Sequence, residues 1–285
     1  MMTDYALEVK NLYSNAGNFS LIDVNLSLEK GTITGFIGKN GSGKTTFIKT
    51  ILDLLPKSKG KVLFFGKTMD NNEAEIKSRL GVVFDSLIYS QALKAKTIMN
   101  TLAPFYSNFD QTYFNKLMNK FELDPDKKLK HYSKGMQMKF SIIMALSQKP
   151  DLLILDEPTA GLDPVARAEV LDLLYDIIQD EEKTIFFSTH ITSDLDKIAD
   201  YITFIDNGKI LFTQPKDEML ESHALVHVDK KDMTDEIKTL FVGLKESSFG
   251  YEGLISDKSK LSLIPNAKIT KPSVEDIMIY RGGLK

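Results

Sequence analysis

The chain reads as an α/β protein. A mostly parallel sheet covered on both faces is preceded by an antiparallel β-subdomain, interrupted by a helical insertion and followed by a small α+β appendage. Three observations carry this reading. Short apolar runs such as TITGFIG (Thr32–Gly38), LLIL (Leu152–Leu155) and TIFFSTH (Thr184–His190) alternate with helical stretches, the rhythm of strands joined by crossover helices. At Leu7 and Val9, and from Leu21 to Leu28, apolar residues alternate as they do in antiparallel strands. Between Ser86 and Lys149 the apolar spacing lengthens to that of helices.

Each element follows in order. TITGFIG is a buried strand running into a glycine-rich turn, and Thr45–Leu55 continues as a helix stopped by Pro56. GKVLFFG (Gly60–Gly66) and RLGVVF (Arg79–Phe84) read as further strands. The insertion holds helices at Ile98–Phe105, Tyr113–Phe121 and Lys134–Leu146. The last has Ser133 as its N-cap and Met136, Phe140, Ile143 and Met144 on one face. The α/β rhythm then resumes with LLIL, helix Pro164–Gln179, strand Thr184–His190, helix Thr192–Ala199 and two strands around Asn207–Gly208. After about Leu220 a different unit begins, in which ALVHV, KLSLIP and the helical SVEDIMIY form the α+β appendage. The expected organisation is a unit over 1–220, with its helical part at about 86–149, and an appendage over 221–285.

Composition sets bounds on function. A net charge of −3 leaves no basic surplus to displace counterions from nucleic acid, so no nucleic-acid partner is expected. The absence of cysteine excludes disulfides and thiolate-bound zinc. The start lacks an apolar h-region, so no signal peptide is expected. Runs such as IIMAL (Ile142–Leu146) fall far short of the roughly 18 apolar residues of a spanning helix. The expectation is a protein soluble when isolated, whose membrane role would need another chain.

GKNGSGKT, residues Gly38, Lys39, Asn40, Gly41, Ser42, Gly43, Lys44 and Thr45, fits the phosphate-cradle pattern G-x-x-x-x-G-K-[ST] between a strand and a helix. Gly41 and Gly43 let the backbone curl until its N–H groups point at phosphate oxygens. Lys44 reaches the β- and γ-phosphates as a point charge. The Thr45 hydroxyl can ligate Mg²⁺ and Thr46 can bond the α-phosphate. Downstream, PDLLILDEP is a buried strand ending in two carboxylates. Asp156 suits Mg²⁺ through water, and Glu157 can polarise an attacking water. His190 closes another apolar strand and can hold that water in line. The structural alternatives are a plain glycine-rich turn, a pair of solvated acids and a packing histidine; the motifs in sequence order argue against all three.

These elements resemble the ATP-binding cassette (ABC) family of transport ATPases. Gly38–Thr45 is similar to its Walker A motif, Leu152–Asp156 to its Walker B motif, Glu157 to its catalytic glutamate, AGLDP (Ala160–Pro164) to its D-loop and His190 to its switch histidine. YSKGM (Tyr132–Met136) resembles the signature usually written LSGGQ. The resemblance spans about residues 5–220 and implies ATP and Mg²⁺ as cofactors. It also implies a second ABC subunit packed head to tail, in a homodimer or heterodimer. Ser133 and the Gly135 N–H would then meet the nucleotide held by the partner, and the resemblance also makes the D-loop Asp163 a nucleotide-binding residue. Two departures stand out. Lys134 and Met136 replace glycine and glutamine of the signature, as in one bacterial export branch. Asp85, ending GVVFD, stands where the family usually has glutamine; it can ligate the metal through water or face away. Tyr13 falls near the family's adenine-stacking position, with Phe19 as competitor.

The resemblance implies an ATP-hydrolysing subunit of an export system, peripheral on the cytoplasmic face of the membrane beneath a separate integral-membrane permease. The region around Leu87–Thr97 would form the groove for a coupling helix. Two rivals belong to other classes. A soluble ABC ATPase acting on ribosomes or DNA generally carries two cassettes in one chain, whereas this chain has a single Walker A. A small-molecule P-loop kinase would make the D-loop, signature and histidine coincidences.

Overall fold

Chain order explains the layers. The computed structural model describes residues 5–17, 19–179 and 183–281; residues 1–4, on which part of the signal-peptide expectation falls, lie outside these. Strands β1 (Tyr5–Ala16) and β2 (Phe19–Glu29) pair antiparallel, β3 (Ile33–Ile37) is entirely buried, and helix α1 (Lys44–Ile51) leads to β4 (Lys57–Phe64). Strand β4 returns to pair antiparallel with β1, giving a separate sheet in the order β2-β1-β4. Helix α2 (Met69–Ser78) and strand β5 (Leu80–Val83) follow. The insertion contributes α3 (Ala95–Leu102), α4 (Gln111–Lys120) and α5 (Lys134–Leu146). Next come β6 (Leu152–Asp156), α6 (Pro164–Ile178), β7 (Thr184–Thr189), α7 (Thr192–Ile198), β8 (Tyr201–Asp206) and β9 (Lys209–Pro215).

The main sheet has the order β5-β6-β7-β3-β8-β9, parallel throughout except for the β8–β9 hairpin. Its strands obey the period-two rule. Ile33, Ile37, Leu153, Leu155, Ile185 and Phe187 face a core shared with the insertion helices and with α6 and α7. Phe36, Leu152, Ile154 and Phe186 face the opposite core, with α1 and the antiparallel sheet. Phe36, Phe47 and Phe186 meet there with ring centroids 5.0–6.1 Å apart. Burial on both faces is why these strands read as continuous apolar runs.

Helix α8 (Lys216–Ser222) leads into the appendage, built from β10 (Ala224–Val228), α9 (Asp235–Lys238), β11 (Gly243–Ser247), β12 (Gly250–Ile255), β13 (Lys268–Thr270) and α10 (Val274–Arg281). Its antiparallel sheet runs β11-β12-β10-β13. The first four residues of KLSLIP lie in a 3₁₀ turn over Lys258–Leu263, opened by Asp257, whose carboxylate accepts from the Ser259 N–H. Helix α2 was not expected: its sequence MDNNEAEIKS buries only Met69 and Ile76, too few apolar positions for a helical period to show.

Candidate active site

Register assembles the site. Ile37 of β3 pairs with Thr189 of β7, and Asp156 of β6 pairs with Ser188 of β7. Three neighbouring parallel strands therefore end level, and Gly38, His190 and Glu157 emerge at one edge. Ligands of open α/β sheets bind at such carboxyl ends.

The glycine-rich turn bends as its residues demand: Gly41 has φ +80° and Gly43 φ +110°. At Gly43 a Cβ would also fall 2.7 Å from the Phe19 ring. Lys44 is 5% exposed, and its ammonium donates to the Gly38 carbonyl at 2.7 Å and pairs with Glu157 Oε1 at 3.1 Å. The Lys39 carbonyl lies 3.3 Å from the same ammonium. The Ser42 hydroxyl is buried with no hydrogen-bond partner among the described residues, an orphan polar atom in a loop suited to phosphate oxygens.

Asp156 is fully buried and bridges two elements. Its carboxylate accepts from Thr45 Oγ1 at 2.7 Å and from Ser188 Oγ at 2.6 Å. Burial pushes its carboxyl above the usual range, Ser188 and Thr45 pull it back, and the Asp85 and Glu157 charges push it further up. A hydroxyl beside a buried, charge-strained carboxylate fits the donor set of a phosphate-bound Mg²⁺, which takes one or two carboxylates and keeps water. Ser188 also anchors Glu157, whose N–H donates to the Ser188 hydroxyl at 3.0 Å and carbonyl at 3.1 Å. Glu157 sits at φ 51°, a left-handed conformation that costs a non-glycine residue of order 1 kcal/mol. From it the carboxylate reaches Lys44 on one side and His190 Nδ1, 2.8 Å away, on the other.

A cavity of about 540 Å³ lies over this edge, lined by Phe19, Asn40, Gly41, Gly43, Lys44, Thr45, Thr46, Asp85, Lys134, Glu157, Ala160 and His190. The lining brings Asn40, Gly41, Gly43, Lys44, Thr45 and Thr46 of the expected cradle together with Asp85, Glu157 and His190, and does not include Gly38, Lys39, Ser42 or Asp156. Tyr13 is not in the lining: it lies on β1, with the ammonium of Lys59 5.4 Å from its ring centroid, and Phe19 holds the aromatic place at the cavity. Ser133 and Asp163 are also outside it. Each caps a helix: Ser133 Oγ accepts from the Met136 N–H at 3.2 Å, and Asp163 Oδ1 from the Val165 and Ala166 N–H groups at 3.0 Å. The Ala166 bond leads in holding the Asp163 carboxyl below its usual range. Gly135 is buried against α6, where a Cβ would fall 2.7 Å from the Ala166 methyl.

Two contributors escaped the sequence reading. Ser188 is one of three polar residues, with Thr184 and Thr189, in the otherwise apolar β7, and nothing in that strand singles it out. Asp194 is fully buried and accepts from Thr159 Oγ1 and Arg167 Nε, both at 2.6 Å. It ties the turn after Glu157 to α6 and α7, and nothing in its local sequence marks it.

The fold and site define a P-loop ATPase of the cassette type. The ABC transporter family profile matches residues 21–160. The chain is similar to the ABC transporter ATP-binding protein YtrB of Bacillus subtilis (strain 168), 31% identical over 74% of this chain and 72% of that protein. It is also similar to the bacitracin transport ATP-binding protein BcrA of Enterococcus faecalis, 31% identical over 74% and 70% of the two chains. The lantibiotic transport ATP-binding protein SrtF of Streptococcus pyogenes is 32% identical over 74% and 91%. Among solved structures, an ATP-binding subunit of an ABC transporter superposes with a TM-score of 0.68 at 26% identity, covering 76% of this chain and 92% of its own. The ATP-binding cassette MJ0796, in a dimeric post-hydrolysis structure bound to ADP and phosphate, shares the fold, with a TM-score of 0.65 at 22% identity over 73% and 98% of the two chains. The chain belongs to the ABC transporter family and is an ATP-binding, ABC-type ATPase.

Proposed function

We propose that the chain works as one of two cassettes that close head to tail on ATP beneath a separate integral-membrane permease, in an export system. The observation that carries the pairing is the division of the signature segment. Ser133 is exposed and does not line its own nucleotide cavity, so its hydroxyl is available to a phosphate held by another copy. Asp163, the N-cap of α6, is also exposed and outside that cavity.

Within one site, Lys44 trades its Glu157 contact for the β- and γ-phosphates. The freed carboxylate then accepts a proton from the attacking water, and His190 keeps it aimed. Thr45 and Asp156 would hold Mg²⁺, with Asp85 contributing through water. When bound, the ion supplies charge neutralisation on the phosphates. Phe19 rather than Tyr13 is the adenine platform, because it lines the cavity beside Gly43.

Support for the permease comes from an apolar groove of about 480 Å³ between the sheet and the insertion. Leu54, Met69, Phe84, Ile88, Tyr89 and Leu102 line it, and Ile88 is 61% exposed. Among the described residues no helix is long and apolar enough to cross a membrane, so translocation would fall to the second protein, at the cytoplasmic face. The bacitracin and lantibiotic transport relatives favour lipophilic cargo such as peptides or antimicrobial compounds, read by that permease. The net charge of −3 disfavours the alternative of a ribosome- or DNA-acting cassette.

The cysteine-free sequence allows a direct test. A single cysteine at Ile88, carrying a photocrosslinker, should capture an integral-membrane protein in native membranes. Capture of ribosomal or DNA-bound proteins instead would overturn the transporter assignment.

A further inference from the structure

The signature lysine turns inward. Lys134 is the first residue of α5, directly after Ser133, yet its side chain lines the same cavity as Lys44, Thr45, Glu157 and His190 of its own subunit. The side chain runs along the turn that follows Glu157. A Cβ placed on Gly161 would fall 2.5 Å from Lys134 Nζ, 3.7 Å from its Cε and 3.9 Å from its Cδ. Gly161 is the neighbour of Ala160, which also lines the cavity. The ammonium therefore lies beside the Ala160–Gly161 turn that follows Glu157.

Charge explains what it can do there. Four formally charged side chains line the cavity: Lys44, Lys134, Asp85 and Glu157. Lys44 is already paired with Glu157 at 3.1 Å. Lys134 has no hydrogen-bond or ion-pair partner among the described residues. It is the cation of this cavity whose charge is uncommitted before nucleotide arrives. A triphosphate brings a concentrated negative charge to that place, and a flexible ammonium with three donors is suited to meet it.

The geometry points to Lys134 as a second phosphate-contacting cation of its own subunit's site, selective for the γ-phosphate; the inference rests on the reading of this cavity as the ATP site. One short segment would then serve two nucleotides. The Ser133 hydroxyl faces outward to the partner's, and the Lys134 ammonium faces inward to its own. Where the family has glycine at this position, no side chain exists to make the inward contact. Lys134 would also couple γ-phosphate occupancy to the turn at Ala160–Gly161 on which it lies.

The test uses the full chain as a dilute monomer without Mg²⁺, titrated with fluorescent ATP and ADP analogues, so that neither hydrolysis nor pairing contributes. K134Q should weaken ATP binding by roughly three- to tenfold, the scale of one partly solvated charge-assisted contact, and ADP binding by less than about twofold. K134R should keep the wild-type ratio of ATP to ADP affinity. Equal affinities for K134Q and wild type, with both nucleotides, would overturn the assignment. K44A is the control for the site itself. If it binds ATP as wild type does, the cavity reading falls first; if it loses binding while K134Q is unchanged, only the role of Lys134 falls.

Discussion

The Lys44 ammonium and the Glu157 carboxylate lie 3.1 Å apart in the cavity at the strand ends, so each neutralises the other there. In the mechanism proposed above, Lys44 neutralises Glu157 until a phosphate draws the lysine away, while Glu157 Oε2 stays in contact with His190 Nδ1.

Asp156 should be a stability liability that function requires. Burial raises its carboxyl above the ordinary range, with Asp85 and Glu157 adding to the effect. A carboxyl raised on folding contributes stability that is complete below the unfolded value, near the usual range for aspartate, and is lost as pH rises through the folded value. At neutral pH the ionised side chain therefore works against the fold. D156N should raise the nucleotide-free melting temperature at pH 7 relative to wild type, with a smaller difference at pH 4. It should also abolish Mg²⁺-dependent hydrolysis. Calorimetry at the two pH values checks the first part and phosphate release the second.

Phe19 and Tyr13 can be separated directly. Stacking on a base is worth about 1–3 kcal/mol, so F19A should weaken ATP binding by roughly 5- to 150-fold. Y13A should leave it within about twofold, since its ring lies beside Lys59 rather than at the cavity. Fluorescent-nucleotide titration of both variants reads the difference.

Gly135 should matter to packing before it matters to any partner. A Cβ there would fall 2.7 Å from the Ala166 methyl, so G135A should destabilise the chain by about 1–3 kcal/mol through overpacking. Adding A166G removes the opposing methyl and should restore most of the loss, less the roughly 0.5–1 kcal/mol that glycine costs in a helix. Urea unfolding of the two single variants and the double variant checks the coupling.

His223 gives the junction before the appendage a pH dependence of opposite sign. It is buried, its Nδ1 donates to the Met219 carbonyl at 2.8 Å, and its Nε2 has no partner among the described residues. Burial holds its protonation below the usual histidine value. Its contribution is complete above the unfolded value near 6.5 and is lost as pH falls through the folded one. Melting temperature should drop between pH 7 and pH 5 in wild type, and H223F should flatten that slope.

Much of this was legible in the residues. The level strand ends that place Gly38, Glu157 and His190 together follow from three continuous apolar runs, each ending at a polar or glycine residue. Burial on both faces makes such strands hard to mistake. The Ser133 cap and α5 were equally open, because a helical period follows a capping residue. What stayed hidden was relational. Tyr13 and Phe19 are both aromatic residues at the N-terminal hairpin, and only the register of β1 and β2 decides which ring covers Gly43. Ser188 and Asp194 act through partners 27–35 residues away in sequence, distances over which no local pattern operates. The direction of Lys134, inward to its own cavity, depends on the path of the turn at Gly161.

The measurement closest to the central claim is the oligomeric state of E157Q with ATP and Mg²⁺, followed by light scattering during size exclusion. Loss of the base should slow hydrolysis by about 10²–10⁴ while leaving Lys44 free for phosphate. The account therefore predicts a dimer retaining two nucleotides, which dissociates when ADP replaces ATP. A nucleotide-saturated monomer, or a variant that hydrolyses ATP at the wild-type rate, would contradict it.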